Sequence, residues 1–256
     1  FSTCHKLTDI TIPYGIIKIG DKAFYNCVSL ESIIIPNSVT EIGDEAFYAC
    51  TSLTSIAIPD SVTKMGESAF VDCRNITNLT IGSGITEINM GTFGYCDALE
   101  NLIIPDNVTV ISSKAFYCCI NLSSVTIGNG IRAIGSEAFY GCQRQTAVYI
   151  SDLSAWCQIE FEDVYSNPLS EARNLYHNGS QVAELIIPSD ITKVRDYTFS
   201  GYDYLESVSI HNGITEIGEG AFLACSNLAY VTIPESVVKI GSGAFYYCYN
   251  LTSVTI

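Results

Sequence analysis

The chain has little positive charge and no long apolar run. Its 256 residues include 12 Lys and Arg against 27 Asp and Glu, which gives a formal net charge of −15. Phosphate backbones and anionic membrane surfaces repel such a protein, so we expect no nucleic-acid partner and no peripheral membrane role. No apolar run approaches the roughly 18–20 residues that span a bilayer. Nor does a basic segment followed by an apolar stretch open the chain, so neither membrane insertion nor a signal peptide is predicted for this sequence.

Residue sets that carry chemistry are also missing. The three histidines, His5, His177 and His211, lie far apart without the spacing of metal ligands. No phosphate-binding loop, nucleophile elbow or dinucleotide fingerprint occurs. The many carboxylates fall in repeated positions, where a solvated surface is the default interpretation. The sequence therefore predicts no metal, no cofactor and no enzymatic activity.

What the chain has instead is a repeat marked by phenylalanine. Ten of its eleven phenylalanines recur at intervals of 23 residues, apart from one interval of 60. A fixed period in this range is typical of a solenoid, in which each unit buries its apolar face against its neighbours. The core phenylalanines predicted from this register, beyond the first at Phe1, are Phe24, Phe47, Phe70, Phe93, Phe116, Phe139, Phe199, Phe222 and Phe245.

The repeat also fixes the expected organisation of the chain. We predict a single array over residues 1–256, with regular repeats in 1–144 and 182–256 and one elongated repeat in 145–181. The chain opens and stops inside a repeat, without the polar capping units that end a solenoid. We therefore expect it to be a fragment truncated at both ends.

Each repeat contains a strand signature. The pattern L-x-x-I-x-I, as in residues 30–35, alternates like a strand with one buried face, so stacked copies would form a parallel sheet. Pro36 and its equivalents cannot donate to a ladder and end the strand. A second apolar pair follows, represented by Val39 and Ile42.

Two further markers follow the second pair. Gly43 and its equivalents are interpreted as positions of positive φ, where Asn89 replaces glycine once. Ser112 and Arg195 are exceptions without an explanation. Residues 46–50, of the form Ala-Phe-x-x-Cys, are predicted to make one short helical turn.

This combination of L-x-x-I-x-I-P, I-G and A-F-x-x-C resembles the leucine-rich repeats of the BspA-like, Treponema-type family of bacterial surface proteins. The resemblance covers nearly the whole chain. It implies an α/β-type leucine-rich repeat solenoid, a right-handed superhelix with a parallel sheet on its concave face and short helical, irregular or short-strand returns on the convex side. Members are typically secreted or wall-anchored, which implies an extracellular or cell-surface location, and some are implicated in adhesion.

The elongated repeat departs from the pattern in two recognisable ways. Residues 151–157 contain a helix N-cap followed by helix-compatible residues. The dipeptide Asn178-Gly179 between alternating residues predicts a hairpin. One interpretation makes this repeat a binding loop; the other, which we favour, makes it a structural variant whose Trp156, Phe161 and Leu169 fill the core.

The eleven cysteines are interpreted as structural. Stacked side chains point the same way, about 4.8 Å apart, whereas a disulfide needs Cβ atoms that converge to roughly 3.5–4.5 Å. We therefore predict buried free thiols that act as small apolar fillers. Besides Cys4 at the start of the chain, this column contains Cys27, Cys50, Cys73, Cys96, Cys119, Cys142, Cys225 and Cys248.

Alternating charges occupy the position two residues before the glycine. Lys18, Glu41, Lys64 and Glu87 follow one another there, and after the break Lys193, Glu216 and Lys239 do the same. Stacked rungs would place each charge beside its opposite, which stabilises the array by roughly 0.2–1 kcal/mol per pair. The decisive expectation is that Lys64 pairs with both Glu41 and Glu87.

Candidate interaction residues come from two places. Ile34, Ile103 and Tyr149 are outward positions of the predicted strands, while Trp156, Tyr165 and Tyr176 belong to the elongated repeat. The tyrosines that follow the core phenylalanines are expected to shield the core on the convex side rather than to bind.

The leading functional hypothesis is a monomeric, non-enzymatic binding module that adheres to a host matrix protein or a bacterial surface protein. A structural spacer that presents another domain is the alternative, and a glycan-binding accessory protein has less support.

Overall fold

The chain winds into stacked rungs, each of which is one turn of about 23 residues. The computed structural model describes residues 1–255. Every regular rung contributes a three-residue strand to one side and a two-residue strand to the other. Most of these strands pair in parallel with the strand of the next rung, with equivalent residues in register. We call these sides the front sheet and the back sheet. The predicted solenoid, with a parallel sheet and short-strand or irregular returns, is confirmed.

Strands are numbered in chain order. The front strands are β1 (Asp9–Thr11), β3 (Ser32–Ile34), β5 (Ser55–Ala57), β7 (Asn78–Thr80), β9 (Asn101–Ile103), β11 (Ser124–Thr126), β13 (Ala147–Ile150), β15 (Leu175–His177), β17 (Glu184–Ile186), β19 (Ser207–Ser209), β21 (Tyr230–Thr232) and β23 (Ser253–Thr255). The back strands are β2 (Lys18–Ile19), β4 (Glu41–Ile42), β6 (Lys64–Met65), β8 (Glu87–Ile88), β10 (Val110–Ile111), β12 (Ala133–Ile134), β14 (Glu160–Phe161), β18 (Lys193–Val194), β20 (Glu216–Ile217) and β22 (Lys239–Ile240).

The core is one continuous column between the two sheets. Consecutive phenylalanine rings from Phe24 to Phe139 stack nearly parallel, with centroids 4.9–5.6 Å apart. The same stacking resumes from Phe199 through Phe222 to Phe245. Repetition of one residue thus gives each ring an identical neighbour, so its flat faces are covered without a change in rotamer.

The segment that carries Ala-Phe-x-x-Cys is a series of tight turns, so the expected helical turn is wrong. Glu45 and Ala49 have positive φ, at 51° and 55°, which interrupts any helical path. The N–H groups of Glu45, Phe47 and Ala49 donate to the next rung, while those of Tyr48 and Cys50 donate three residues back. The segment therefore ties neighbouring rungs together as a sheet edge does.

The glycine column is explained by close contact between rungs, and the prediction of positive φ there is wrong. A Cβ built on Gly43 would lie 2.5 Å from the backbone nitrogen of Asp21 and 2.8 Å from the backbone carbon of Gly20. Gly43 itself does not have positive φ. Glycine is present because the preceding rung leaves no room for a side chain.

The back sheet is interrupted between β6 and β8 and again between β14 and β18. Each interruption precedes a rung whose glycine is replaced, by Asn89 in the first case and Arg195 in the second. The Asn89 side-chain amide donates to the carbonyl of Met65, and Arg195 Nη1 lies 2.7 Å from Glu160 Oε1. Side chains thus bridge the places where the backbone ladder stops. Ser112 also replaces glycine, yet the strand before it, β10, still pairs with β8.

The charge column forms in part. Lys18 Nζ lies 2.7 Å from Glu41 Oε1, and Glu216 Oε1 lies 3.2 Å from Lys193 Nζ and 2.7 Å from Lys239 Nζ. The expectation that Lys64 pairs with Glu41 and Glu87 is wrong, since no ion pair among residues 1–255 includes it. The first interruption of the back sheet separates β6, which carries Lys64, from β8, which carries Glu87.

The elongated rung contains the predicted helix and hairpin. Helix α1 (Leu153–Cys157) begins at Asp152, whose Oδ1 accepts from the Ala155 N–H at 3.0 Å. Helix α2 (Leu169–Ala172) follows β14, and β15 turns into the antiparallel strand β16 (Ser180–Gln181). Between the back strands β14 and β18, the chain thus forms the front strands β15 and β17 but no further back strand.

Candidate functional site

The outward residues of the front strands form one surface, which we call the front face. Register pairing places Ile103 beside Thr126, Thr126 beside Tyr149, and Tyr149 beside Tyr176. Ile34 is 83% exposed, Ile103 is 67% exposed and Ile186 is 72% exposed. These side chains do not pack the core, since the alternate strand residues do that. Large aliphatic groups are thus left in water along one face.

Tyr149 and Tyr176 are in contact on this face. Their ring centroids lie 5.0 Å apart with an interplanar angle of 28°. Tyr149 is 37% exposed, and Tyr176 is half-buried. The pair arises because the elongated rung adds β15 next to β13, so an aromatic residue from each strand meets the other. The Tyr149–Tyr176 pair therefore places two stacked aromatic rings near the middle of the front face.

The candidate residues from the elongated rung do not form one site. Trp156 is 1% exposed, and its Nε1–H donates to the carbonyl of Thr198 at 3.2 Å. It fills the core together with Phe161 and Leu169, so Trp156 is not available to a partner and is corrected here to a core residue. Tyr165 lies on the turn side of the solenoid, where its ring meets that of Tyr140 edge-on at 4.9 Å.

The front face carries charge of one sign. The front strands, together with the residue directly before each, contain five carboxylates and no Lys or Arg. All five are exposed, and none takes part in an ion pair of the described chain. They are Asp9, Glu31, Glu100, Glu184 and Glu206. Arg173, two residues before β15, is held by Asp203 at 3.1 Å.

Sequence reasoning missed one exposed aromatic residue on this face. Tyr230 is 61% exposed at the first position of β21, where other front strands have mostly Ser, Asn or Asp. The signal was a single aromatic residue in a column of small polar residues.

The turn-side tyrosines form a second aromatic row. Tyr25 and Tyr48 stack at 5.0 Å, and Tyr117 stacks on Tyr140 at 5.5 Å. Lys22 Nζ lies 5.8 Å from the centroid of the Tyr25 ring. Because each ring covers the ring of a neighbouring rung, this row mainly shields the core on the turn side.

The cysteine column has the chemistry of a core. Cys50 and Cys73 are fully buried, and their Sγ atoms donate to the carbonyls of Phe24 and Phe47 on the preceding rung. Burial raises the pKa of Cys50 to about 12 and that of Cys73 well above its usual value. Tyr202 takes one place in the column and donates to the carbonyls of Leu175 and Val182. Such thiols stay protonated and do not act as nucleophiles.

A shallow cleft crosses the second interruption of the back sheet. Its volume is about 620 Å³, and it is lined by small or apolar residues such as Val110 and Ala133 and by the Arg195–Glu160 pair. No group of three His, Cys, Asp or Glu side chains in the part of the chain that the structure describes is arranged to hold a metal ion. In the same residues, no helix has the length and apolar character needed to cross a bilayer.

Comparison with known proteins agrees with the repeat. The model of the BspA type leucine rich repeat region matches six copies, over residues 1–100, 86–166 and 172–256. A search of curated proteins finds no significant match.

Solved structures give the same result. A leucine-rich repeat protein from Bacteroides ovatus is 25% identical, with a TM-score of 0.57 over 99% of this chain and 80% of that one. A leucine rich cell surface protein from Faecalibacterium prausnitzii is 25% identical, with a TM-score of 0.51 over 96% and 86%. The T. pallidum leucine rich repeat protein, 22% identical with a TM-score of 0.50 over 92% and 83%, shares the fold. With its family model covering most of the sequence, this chain belongs to the BspA-type leucine-rich repeat proteins.

Proposed function

We propose that this chain is a non-enzymatic protein-binding module at the bacterial cell surface, and that it adheres through the front face to a host matrix protein or another bacterial surface protein. The observation that carries the proposal is the exposure of Ile34, Ile103 and Ile186 on one sheet. Between them, Ile103 is joined through Thr126 to the Tyr149–Tyr176 pair in one row of paired strands, and an exposed apolar row among polar residues is typical of an interaction site.

Two further observations support the proposal. The rungs hold the outward side chains on a stacked, hydrogen-bonded sheet, so little conformational entropy is lost when a partner docks. One relative is described as a cell surface protein, which supports the location. Leucine-rich repeat arrays are typically protein-binding, and an elongated face can multiply weak contacts along its length.

The test measures, by surface plasmon resonance, whether the monomeric chain binds immobilised host matrix proteins and bacterial surface proteins. The decisive variant replaces Ile103, Tyr149 and Ile186 by threonine, the residue that already occupies the same outward position at Thr80, Thr126 and Thr232. This choice keeps the strand propensity while it removes the apolar surface. We expect at least a tenfold loss of affinity, which corresponds to about 1.4 kcal/mol.

The matched control changes three exposed tyrosines of the turn side, Tyr95, Tyr140 and Tyr165, to threonine. We expect the control to bind within twofold of the unchanged protein. Equal binding by the front-face variant would show that the partner contacts another surface. If the unchanged chain binds nothing saturably, the spacer function replaces this proposal.

A further inference from the structure

The front face combines exposed aliphatic and aromatic groups with uncompensated carboxylates. Over the rungs from β9 to β19, Glu100 and Glu206 lie directly before β9 and β19, and Glu184 is the first residue of β17. The outward residues Ile103 and Ile186 belong to β9 and β17. Their side chains are exposed and unpaired in residues 1–255. The middle of the front face therefore presents apolar surface flanked by negative charge.

The cations of the chain are concentrated on the other sides. Lys18, Lys64, Lys193 and Lys239 lie on back strands, and Lys22 and Lys114 lie in turn segments. Most of these meet a carboxylate of the next rung, as Lys22 meets Glu45 at 3.5 Å and Lys114 meets Glu137 at 3.5 Å. The rest of the chain thus carries both signs of charge, several of them paired between rungs, whereas the front face carries carboxylates alone.

From this segregation we infer that the partner of the front face is a protein segment rich in exposed lysine and arginine. This inference rests on the proposed function, because it names the partner class for the same surface. Lysine and arginine match both properties of the face: their methylene stems lie on apolar groups while their charged ends reach a carboxylate. The Tyr149–Tyr176 pair and Tyr230 add aromatic rings that a cation can approach.

The net charge of −15 disfavours the other occupants. A second copy of this chain would bring its own negative face, and like charges across an interface are repulsive. Unpaired carboxylates also repel acidic glycans and phosphates. A basic protein surface gains attraction at a distance as well as contact energy, so its association is fast and sensitive to salt.

The experiment compares two charge variants that have the same net charge. The front variant carries Glu100→Gln, Glu184→Gln and Glu206→Gln. The control carries Glu67→Gln, Glu87→Gln and Glu219→Gln, which are exposed carboxylates outside the front face. The probe is a synthetic peptide of alternating lysine and threonine, with a peptide of alternating glutamate and threonine as its acidic counterpart. Binding is measured by fluorescence anisotropy at about 0.1 M and about 1 M salt, over which the Debye length falls from about 10 Å to about 3 Å.

We expect the basic peptide to bind the unchanged chain and to bind it more weakly at high salt. The front variant should lose at least tenfold in affinity for this peptide, and the control less than threefold. Equal losses in both variants would mean that only the overall charge attracts the peptide, which overturns the inference. Binding of the acidic peptide, or the absence of binding by the basic one, also overturns it.

The same variants separate this inference from the proposed function. If a matrix or bacterial protein loses affinity for the threonine variant of the front face but not for the front charge variant, the face binds a partner that is not basic. In that outcome the inference fails and the proposed function stands. If neither variant changes the binding of that protein, both fail.

Discussion

The Sγ atom of Cys50 donates to the carbonyl oxygen of Phe24 on the preceding rung, at 3.2 Å. Cys73 repeats the contact with Phe47 and Cys119 repeats it with Phe93. The carbonyls of Phe24 and Phe47 also accept from the N–H groups of Cys27 and Cys50, so each thiol adds a second hydrogen bond to its turn carbonyl. Cysteine recurs at this position because it forms this hydrogen bond and because its side chain is small. Two predictions depend on the burial of these thiols.

The first concerns alkaline pH. Burial raises the pKa of Cys50 and Cys119 to about 12, well above that of an exposed thiol. The unfolded chain loses these protons near pH 9, while the folded chain keeps them. The stabilisation is therefore complete below pH 9 and is lost as the pH rises toward 12, by up to about 1.4 kcal/mol per pH unit for each thiol.

We expect the free energy of unfolding, measured in denaturant between pH 8 and pH 10.5, to fall steeply above pH 9. A variant with Cys73→Ala, Cys96→Ala and Cys119→Ala is less stable overall, yet its pH slope is smaller because three titrating groups are gone. Identical slopes for the two proteins would contradict the assignment of the effect to this column.

A second expectation concerns thiol reactivity at neutral pH. Cys4 is exposed, whereas Cys118 and Cys248 are partly exposed and their pKa values are raised by burial, that of Cys248 to about 11. We expect an alkylating reagent to modify Cys4 first and these two slowly in the native protein, with all eleven cysteines reacting in denaturant. Peptide mapping gives the order, and rapid native labelling of Cys96 would refute it.

Gly66 tests the close contact between rungs. A Cβ there would lie 2.3 Å from the backbone nitrogen of Asp44, so Gly66→Ala forces neighbouring rungs apart. We expect a loss of about 1–3 kcal/mol, as for overpacked sites. Gly20 occupies the same column but has nothing within 4 Å of its Cβ position, so Gly20→Ala changes stability by less than about 0.5 kcal/mol. The free energies of unfolding of both variants are measured in denaturant. Equal losses of stability would contradict the steric explanation.

Gln145 provides a stabilising substitution. It takes the leucine position of its rung, is 4% exposed, and neither its Nε2 nor its Oε1 has a hydrogen-bond partner. Gln145→Leu removes this desolvation penalty and should raise the free energy of unfolding by about 1–3 kcal/mol. The reverse change in the rung before, Leu122→Gln, should lower it. Destabilisation by Gln145→Leu would mean that the amide is paired in solution.

The regular rungs were predictable because one sequence pattern recurs with the same neighbours on both sides. Alternation placed Ile33 inside and Ile34 outside, and the stacked phenylalanines followed from their register. Asp152 and Asn178-Gly179 marked the helix and the hairpin of the elongated rung from local chemistry alone.

Two of the incorrect expectations concern how closely neighbouring rungs approach one another. Sequence shows that Lys64 and Glu87 are one period apart, but not that the back sheet is interrupted between them. Likewise, glycine at position 43 looks the same in sequence whether it provides positive φ or makes room for a neighbouring backbone. Trp156 is a core residue, which agrees with the favoured interpretation of the elongated repeat and removes it from the candidate interaction residues.

The second interruption also has a mechanical consequence. Elsewhere, successive rungs are joined by paired strands of the front sheet, the back sheet or both, but residues 1–181 and 182–255 share no paired strands. Apart from backbone bonds such as that from the Tyr204 N–H to the carbonyl of Arg173, they are held by side chains. Asn167 donates to the carbonyl of Tyr197 at 2.7 Å, and Trp156 donates to that of Thr198. Tension applied to the two ends would pull hardest on these few contacts. A stretched molecule should therefore part there first, leaving two intact pieces joined by a short tether.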